Sequence, residues 1–148
     1  MRTKLSKLTK GFTIIEVLIV LAIAGLIMLI VFLAVPALQR NARNTNRKTD
    51  IGRIGGAATT VISNNNGDTS SLTSANLRTE VGTFGYYTPS NVSVVGWTTA
   101  HIANTATTDT AVLYTGATCT GSIATAGNTR QMATEYRLET DTPQCTGI

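Results

Sequence analysis

The chain has 148 residues, enough for one compact domain with appendages. Only 14% of them are charged, against roughly 25% in an ordinary soluble domain. The formal charge is +4, but four of the positive charges precede residue 11: Arg2, Lys4, Lys7 and Lys10. The remaining basic and acidic residues are equal in number. The net positive charge therefore belongs to an N-terminal leader and does not indicate a nucleic-acid-binding surface.

An apolar segment follows the leader. Across residues 12–38 the only strongly polar side chains are those of Thr13 and Glu16. As a helix this segment would be roughly 40 Å long, enough to cross a bilayer core of about 30 Å. A secretory signal cut at Ala22-Ile23-Ala24 is the weaker alternative, because the apolar run continues well beyond the usual h-region of about 7–15 residues. The pattern predicts a single membrane-spanning helix.

Glu16 is the most informative residue of this segment. A carboxylate inside a membrane costs on the order of a few kcal/mol unless it has a partner, although it could also lie near the lipid headgroups. If the chain is cut just before Phe12, the new α-amino group becomes a possible partner, within one helix or between neighbouring helices. Such a pair would be poorly screened in an apolar medium, and it would fix the axial offset between packed helices.

The leader ends in Gly11, and the apolar run then reads Phe-Thr-Ile-Ile-Glu-Val-Leu-Ile-Val. Over about the first thirty residues the chain resembles the N-terminal signal of type IV pilins and pseudopilins. The resemblance implies that prepilin peptidase cuts between Gly11 and Phe12 and that Phe12 becomes N-methylated. It also implies that Glu16 is the glutamate required for filament assembly, together with Phe12.

The resemblance implies a structural subunit without catalytic residues, cofactor or metal. Its partners would be further copies of itself in a helical homopolymer, prepilin peptidase, and the assembly platform with its ATPase. The subunit would wait in the membrane with its leader in the cytoplasm, and the pilus would stand on the bacterial cell surface, where adhesion and motility are typical. A pseudopilin of a type II secretion or DNA-uptake system is the first alternative, and a non-polymerising, membrane-anchored binding module is the second. Contact with nucleic acid stays open.

Pro36 departs from the pilin pattern, in which a helix-weakening proline often occurs about one turn earlier. Because proline lacks a backbone donor and clashes with the preceding turn, we predict a kink near residues 32–36.

A basic cluster follows the apolar segment and is opposed only by Asp50. The positive-inside rule gives no orientation, because basic residues flank the segment on both sides. The cluster is interpreted either as a solvated helix face near anionic lipid or as partners for acids such as Glu80 or Asp109 on neighbouring subunits. Its members are Arg40, Arg43, Arg47, Lys48 and Arg53.

The helix is predicted to continue as an amphipathic segment over residues 39–63. Apolar side chains recur there at helical spacing, at Ile51, Ile54, Ala58, Val61 and Ile62. The glycines at 52, 55 and 56 weaken this helix but would permit close approach of the rest of the chain. The run of residues 64–68, Asn-Asn-Asn-Gly-Asp, is a strong stop signal. We therefore expect one helix of roughly fifty residues.

Residues 64–148 are predicted to form a β-rich head outside the cytoplasm. A helical turn is expected at 74–80, and strands at 84–87, 92–97, 111–114 and 132–139. The last alternates in polarity like a half-buried strand, which would place Glu135, Glu139 and Asp141 on a solvated face. The predicted fold class is α+β, a pilin-like ladle in which one long N-terminal helix, transmembrane in its first half, packs on a small antiparallel sheet of three or four strands.

The chain contains two cysteines and one histidine, too few for a structural zinc site. Export and the pilin resemblance both favour a Cys119–Cys145 disulfide, with two unpaired thiols as the alternative. His101 is interpreted as a surface or loop-edge residue and not as a catalytic base. Tyr86, Tyr87 and Trp97 are expected to pack in the core or an interface more than to form an exposed patch.

Overall fold

The computed structural model describes residues 11–98 and 106–148. Residues 1–10, which form the predicted leader, and residues 99–105, which include His101, lie outside the described residues. The chain divides into two compact units, one that ends at Gln39 and one that runs from Arg40 to Ile148. The larger unit, here called the head, contains the second half of the first helix. The described elements are α1 (Ile14–Asn64), α2 (Ser74–Val81), β1 (Val92–Gly96), β2 (Ala111–Thr115), β3 (Ala117–Thr120), β4 (Ile123–Ala126), β5 (Met132–Arg137) and β6 (Pro143–Gly147).

The single long helix is confirmed: α1 has 51 residues. It stops where the asparagine run begins, because Asn66 and Gly67 have positive φ angles of 57° and 82°. The amide of Gly67 donates to the carbonyl of Ile62 at 2.9 Å, which satisfies one of the carbonyls left open at a helix end.

The predicted apolar face of the second half of α1 forms one side of the head's core. Ile51, Ile54, Ala58 and Val61 are buried there, among residues of β1, β2 and β5 such as Leu113. Among the described residues no atom lies within 4 Å of a Cβ built on Gly52 or Gly56, whereas a Cβ at position 55 would lie 3.2 Å from Ile148 Cδ1. Of the three glycines, only that at position 55 permits a close approach.

The main sheet has four strands in the order β1-β2-β5-β6. The pairs β2–β5 and β5–β6 are antiparallel as predicted, but β1 pairs parallel to β2. Helix α2 covers the edge of β1, since Ser74 Oγ accepts from the amide of Val94 at 2.9 Å and Arg78 donates to the carbonyl of Val92 at 3.0 Å. This contact blocks an edge that could otherwise pair with another chain.

Strand β5 is buried on both faces, so the prediction of a half-buried strand was wrong. A second sheet, the antiparallel pair β3–β4, covers the face that was expected to meet solvent and packs Ala117 and Ala124 against Ala133. Glu135 is consequently only 2% exposed, and its carboxylate accepts a hydrogen bond from the amide of Ala124 at 2.6 Å.

The prediction of a strand at residues 84–87 was also wrong, because this segment is a loop attached to α1. The carboxylate of Asp50, which is 1% exposed, accepts hydrogen bonds from three consecutive amides, those of Gly85, Tyr86 and Tyr87, at 2.7–3.1 Å. Because these three amides donate to the side chain of Asp50, they cannot donate to the carbonyls of a neighbouring strand.

We predict that Asp50→Ala destabilises the head by about 3 kcal/mol, because three backbone donors lose their acceptor in a buried place. For a unit of this size the melting temperature should fall by an amount of the order of 10 °C. Thermal unfolding of the full chain in detergent, followed by circular dichroism, would measure it. Glu80→Ala, which removes an exposed carboxylate from α2, is the control and should change the melting temperature little. Equal stability of the two variants would contradict the anchoring role of Asp50.

Candidate functional site

The first half of α1 presents its apolar side chains to the outside. Phe12 is 89% exposed and Leu33 is 74% exposed. The helix is long and apolar enough to cross a membrane, and none of its most apolar window is buried. A soluble core helix would bury such a face, so the covering must come from lipid or from other chains.

The helix starts in a capping box formed by Thr13 and Glu16. The amide and the hydroxyl of Thr13 donate to Glu16 Oε2 at 2.8 and 2.9 Å, and the amide of Glu16 donates to Thr13 Oγ1 at 3.3 Å. This reciprocal arrangement satisfies donors that a helix N-terminus leaves open. The spacing Thr-x-x-Glu could have revealed the capping box in the sequence, but it was missed there.

The peptide bond between Gly11 and Phe12 lies just outside this cap. Residues 11–13 are non-helical and exposed. A Cβ at position 11 would meet no atom within 4 Å, and the φ angle there is not in the positive range. Within the described chain neither packing nor backbone conformation requires a glycine at this position.

Comparison with known proteins agrees with this N-terminal geometry. The family model for the prokaryotic N-terminal methylation motif matches residues 6–32. The chain carries the prepilin-type leader signal of the type IV pilin family. No curated protein and no solved structure matches the chain, so the comparison with this family covers less than a fifth of the pilin-like chain and none of its head. The matched motif is that of structural proteins and not of an enzyme family.

Pro36 lies within the apolar half of the pilin-like helix, and the helix continues through it. Because proline has no amide hydrogen, the carbonyl of Phe32 cannot form its usual hydrogen bond four residues on. The kink near this position stays a prediction.

The basic cluster behind the apolar half has partners inside the same chain, which neither interpretation predicted. Arg43 donates to both carboxylate oxygens of Glu139, and this hydrogen bond lowers the pKa of Glu139 below its usual value. Arg53 donates to the carbonyl of Thr83 at 2.8 Å. Glu139 therefore does not belong to a freely solvated face. Arg40 and Lys48 are exposed, so both interpretations of the basic cluster still apply to these two residues.

Arg47 is the buried member of the cluster, with 2% exposure. Its guanidinium lies 4.1 Å from the centre of the Tyr86 ring, in a cation–π contact. It also donates to Asn44 Oδ1 at 3.1 Å, and the same oxygen accepts from the amide of Glu139 at 3.0 Å. The cluster thus fastens the turn after β5 and the loop at residues 84–87 to α1. Asp109, considered as a partner on a neighbouring subunit, accepts from Tyr86 Oη at 2.9 Å.

Cys119 on β3 and Cys145 on β6 form a disulfide, as predicted, with their Cα atoms 5.7 Å apart. The bond joins the two sheets of the head. A loop of this size corresponds to about 3.5 kcal/mol in the chain-entropy model. The aromatic residues pack as expected, since Tyr87 is buried and Trp97 lies edge-on to Tyr114 with ring centres 6.0 Å apart.

Proposed function

We propose that the chain is the precursor of a type IV pilin, which polymerises into a pilus through residues 12–38 after prepilin peptidase has removed residues 1–11. The main support for this proposal is the uncovered apolar surface of the first half of α1, which directly follows the matched prepilin-type leader in the sequence. Residues 39–63 then continue the helix into the head, whose remaining residues, 64–148, lie outside the cytoplasm. The membrane covers the apolar surface before assembly, and neighbouring subunits cover it afterwards.

Cleavage would hydrolyse the Gly11–Phe12 bond, which leaves the Gly11 carboxylate on the leader and a new amine on Phe12. The leader charges depart with it, so the mature chain is close to neutral. Methylation of the Phe12 amine keeps a positive charge at the start of an apolar helix. That positive charge needs a negatively charged partner that accepts its hydrogen bonds, because an unpaired ion is costly in a medium of low dielectric constant.

Glu16 offers such an acceptor. Both hydrogen bonds from Thr13 go to Oε2, and among the described residues none goes to Oε1. The capping box survives cleavage, since both its residues remain in the mature chain. Glu16 can therefore cap its own helix with one oxygen and receive the amine of a neighbouring Phe12 with the other, which fixes the axial step between subunits.

Pro36 has a proposed role as a weak point where the helix can bend or stretch during assembly. The peptidase, the assembly platform with its ATPase and further copies of the chain are the proposed partners. A pseudopilin would share the processing and the helix but form a short filament, so filament length separates the two. Adhesion, motility and DNA uptake all remain compatible with the head.

We expect mass spectrometry of the chain from its native host to find a mature protein that begins at Phe12 and carries one methyl group on the amine of that residue. Gly11→Val should leave the leader attached, because the new side chain changes the residue before the cut and not the fold of the described chain. Gly52→Val, in an equally open position on α1, is the matched control and should be processed normally. An intact leader on the wild-type chain, or an N-terminus elsewhere, would overturn the pilin proposal.

Glu16→Gln separates the two roles proposed for the carboxylate. Glutamine can still complete a capping box, but it cannot neutralise the amine of a neighbour, so the yield of sheared filaments should fall roughly tenfold or more. Processing at Phe12 should be unchanged. Glu80→Gln, on the surface of the head, should give the wild-type yield. A wild-type yield from Glu16→Gln would show that charge pairing does not drive assembly.

A further inference from the structure

The turn that ends α1 contains the only asparagine–glycine pair of the sequence, Asn66-Gly67. Both residues are exposed to solvent. Asparagine is among the chemically labile residues of proteins. Before a glycine it is more labile still, because no side chain hinders the next backbone nitrogen from reaching the asparagine side chain. This turn therefore combines a reactive pair with free access to water.

The reaction converts the side-chain amide of Asn66 into an acid. A base in the solvent removes the proton from the backbone nitrogen of Gly67, which then attacks Cγ of Asn66. A bond forms between these two atoms, and the side-chain nitrogen leaves as ammonia with a proton taken back from the solvent. Water then opens the resulting imide ring. Cleavage of the ring at Cγ leaves aspartate, whereas cleavage at the main-chain carbonyl carbon leaves isoaspartate.

The folded turn restrains this reaction. Asn66 has a φ angle of 57° and occupies the left-handed position that commonly ends a helix. The amide of Gly67 donates to the carbonyl of Ile62 at 2.9 Å, and the amide of Asp68 donates to the carbonyl of Asn65 at 3.1 Å. The Gly67 nitrogen can attack only after its hydrogen bond has opened, so local opening at the end of α1 sets the rate.

The two preceding asparagines lack the same combination. Asn64 and Asn65 are each followed by another asparagine, whose side chain crowds the attacking nitrogen. The side-chain amide of Asn65 also donates to the carbonyl of Val61 at 2.7 Å. Asn66 is therefore the member of the run at which the reaction should start.

A carboxylate at position 66 would weaken the end of α1. The C-terminus of a helix carries a partial negative charge, and the last turn of α1 contains no basic residue that could compensate a new anion. Asp68 places another carboxylate close by in the chain. Isoaspartate would have a larger effect, because it adds a carbon atom to the backbone of the turn and so disturbs the hydrogen bond to Ile62. Val61, in the same turn of α1, belongs to the core of the head.

We propose that Asn66 is a site of spontaneous modification, at which deamidation accumulates as the chain ages and loosens the end of α1. The closed turn slows the reaction about five- to thirtyfold, which corresponds to the loss of one or two ordinary hydrogen bonds on opening. The change is irreversible, because ammonia is lost to the solvent. The oldest copies of the chain therefore have the least stable heads.

Incubation of the full chain in detergent, in a mildly alkaline buffer, tests the site. Trypsin releases one peptide between Arg53 and Arg78 that contains the whole asparagine run, and electron-transfer fragmentation locates the mass gain and separates aspartate from isoaspartate. A sample without incubation, digested in parallel, corrects for conversion during digestion.

We expect Asn66 to convert before every other asparagine of the folded chain. Its conversion should be about five- to thirtyfold slower than in the same chain unfolded in guanidinium chloride. Earlier conversion of another asparagine would overturn the proposal, and so would equal rates in the two states or a folded chain in which Asn66 does not convert.

Asn66→Gly is the matched variant, because glycine adopts a φ angle of 57° without strain and has no side-chain amide to lose. Fresh and incubated samples of both chains would be compared by thermal unfolding, followed by circular dichroism. The melting temperature of the wild type should fall by several degrees as position 66 converts, whereas that of Asn66→Gly should stay constant. An equal fall in both chains, or an unchanged melting temperature of the fully converted wild type, would contradict the loosening of α1.

Discussion

The uncovered surface of residues 12–38 is the constraint on which the rest of this protein depends. Apolar side chains surround this helix on every side, and an apolar surface of that length is unstable in water. Lipid can cover it. In the proposed filament identical helices would cover it instead, and each would bring both a carboxylate and an amine that can pair.

The capping box changes the physical description of Glu16. Without it, the residue is an isolated carboxylate whose only reason to exist is a partner on another chain. With it, Glu16 also stabilises the first turn of its own helix through Thr13. The side chain is thereby held in one orientation before assembly, which reduces the conformational entropy that pairing would otherwise cost.

The head depends on polar side chains of α1 as well as on its apolar face. Asp50 holds the loop at residues 84–87 by three backbone amides, and Arg43 holds the turn after β5 through Glu139. Both contacts give hydrogen-bond partners to backbone amides or charged side chains, which would be costly to bury without them in a small core. The disulfide between β3 and β6 then joins the second sheet to the first.

Sequence reasoning was most successful where one periodic pattern dominated. The length of α1, its stop after Asn64 and the buried face at Ile51 and Ile54 all follow from helical spacing and a cluster of turn residues. It failed where a distant residue overrides the local pattern. Residues 84–87 have strand-like side chains, but their amides belong to Asp50, which lies more than thirty positions earlier in the chain.

The second sheet could not be predicted for a different reason. Strands β3 and β4 are short and consist mainly of threonine and alanine, so they give no strong alternation of polarity to detect. Their presence nevertheless decides that β5 is buried on both faces. The N-terminal site could be predicted from the sequence because its residues are contiguous in the chain.

Imaging of filaments sheared from the native host, at a resolution that shows side chains, tests the central claim most directly. The account predicts that α1 helices of neighbouring subunits pack together in the filament centre. It also predicts that the amine of Phe12 lies within about 3 Å of Glu16 on an adjacent subunit. Filaments without this chain, or with residues 12–38 packed on anything other than their own copies, would contradict it.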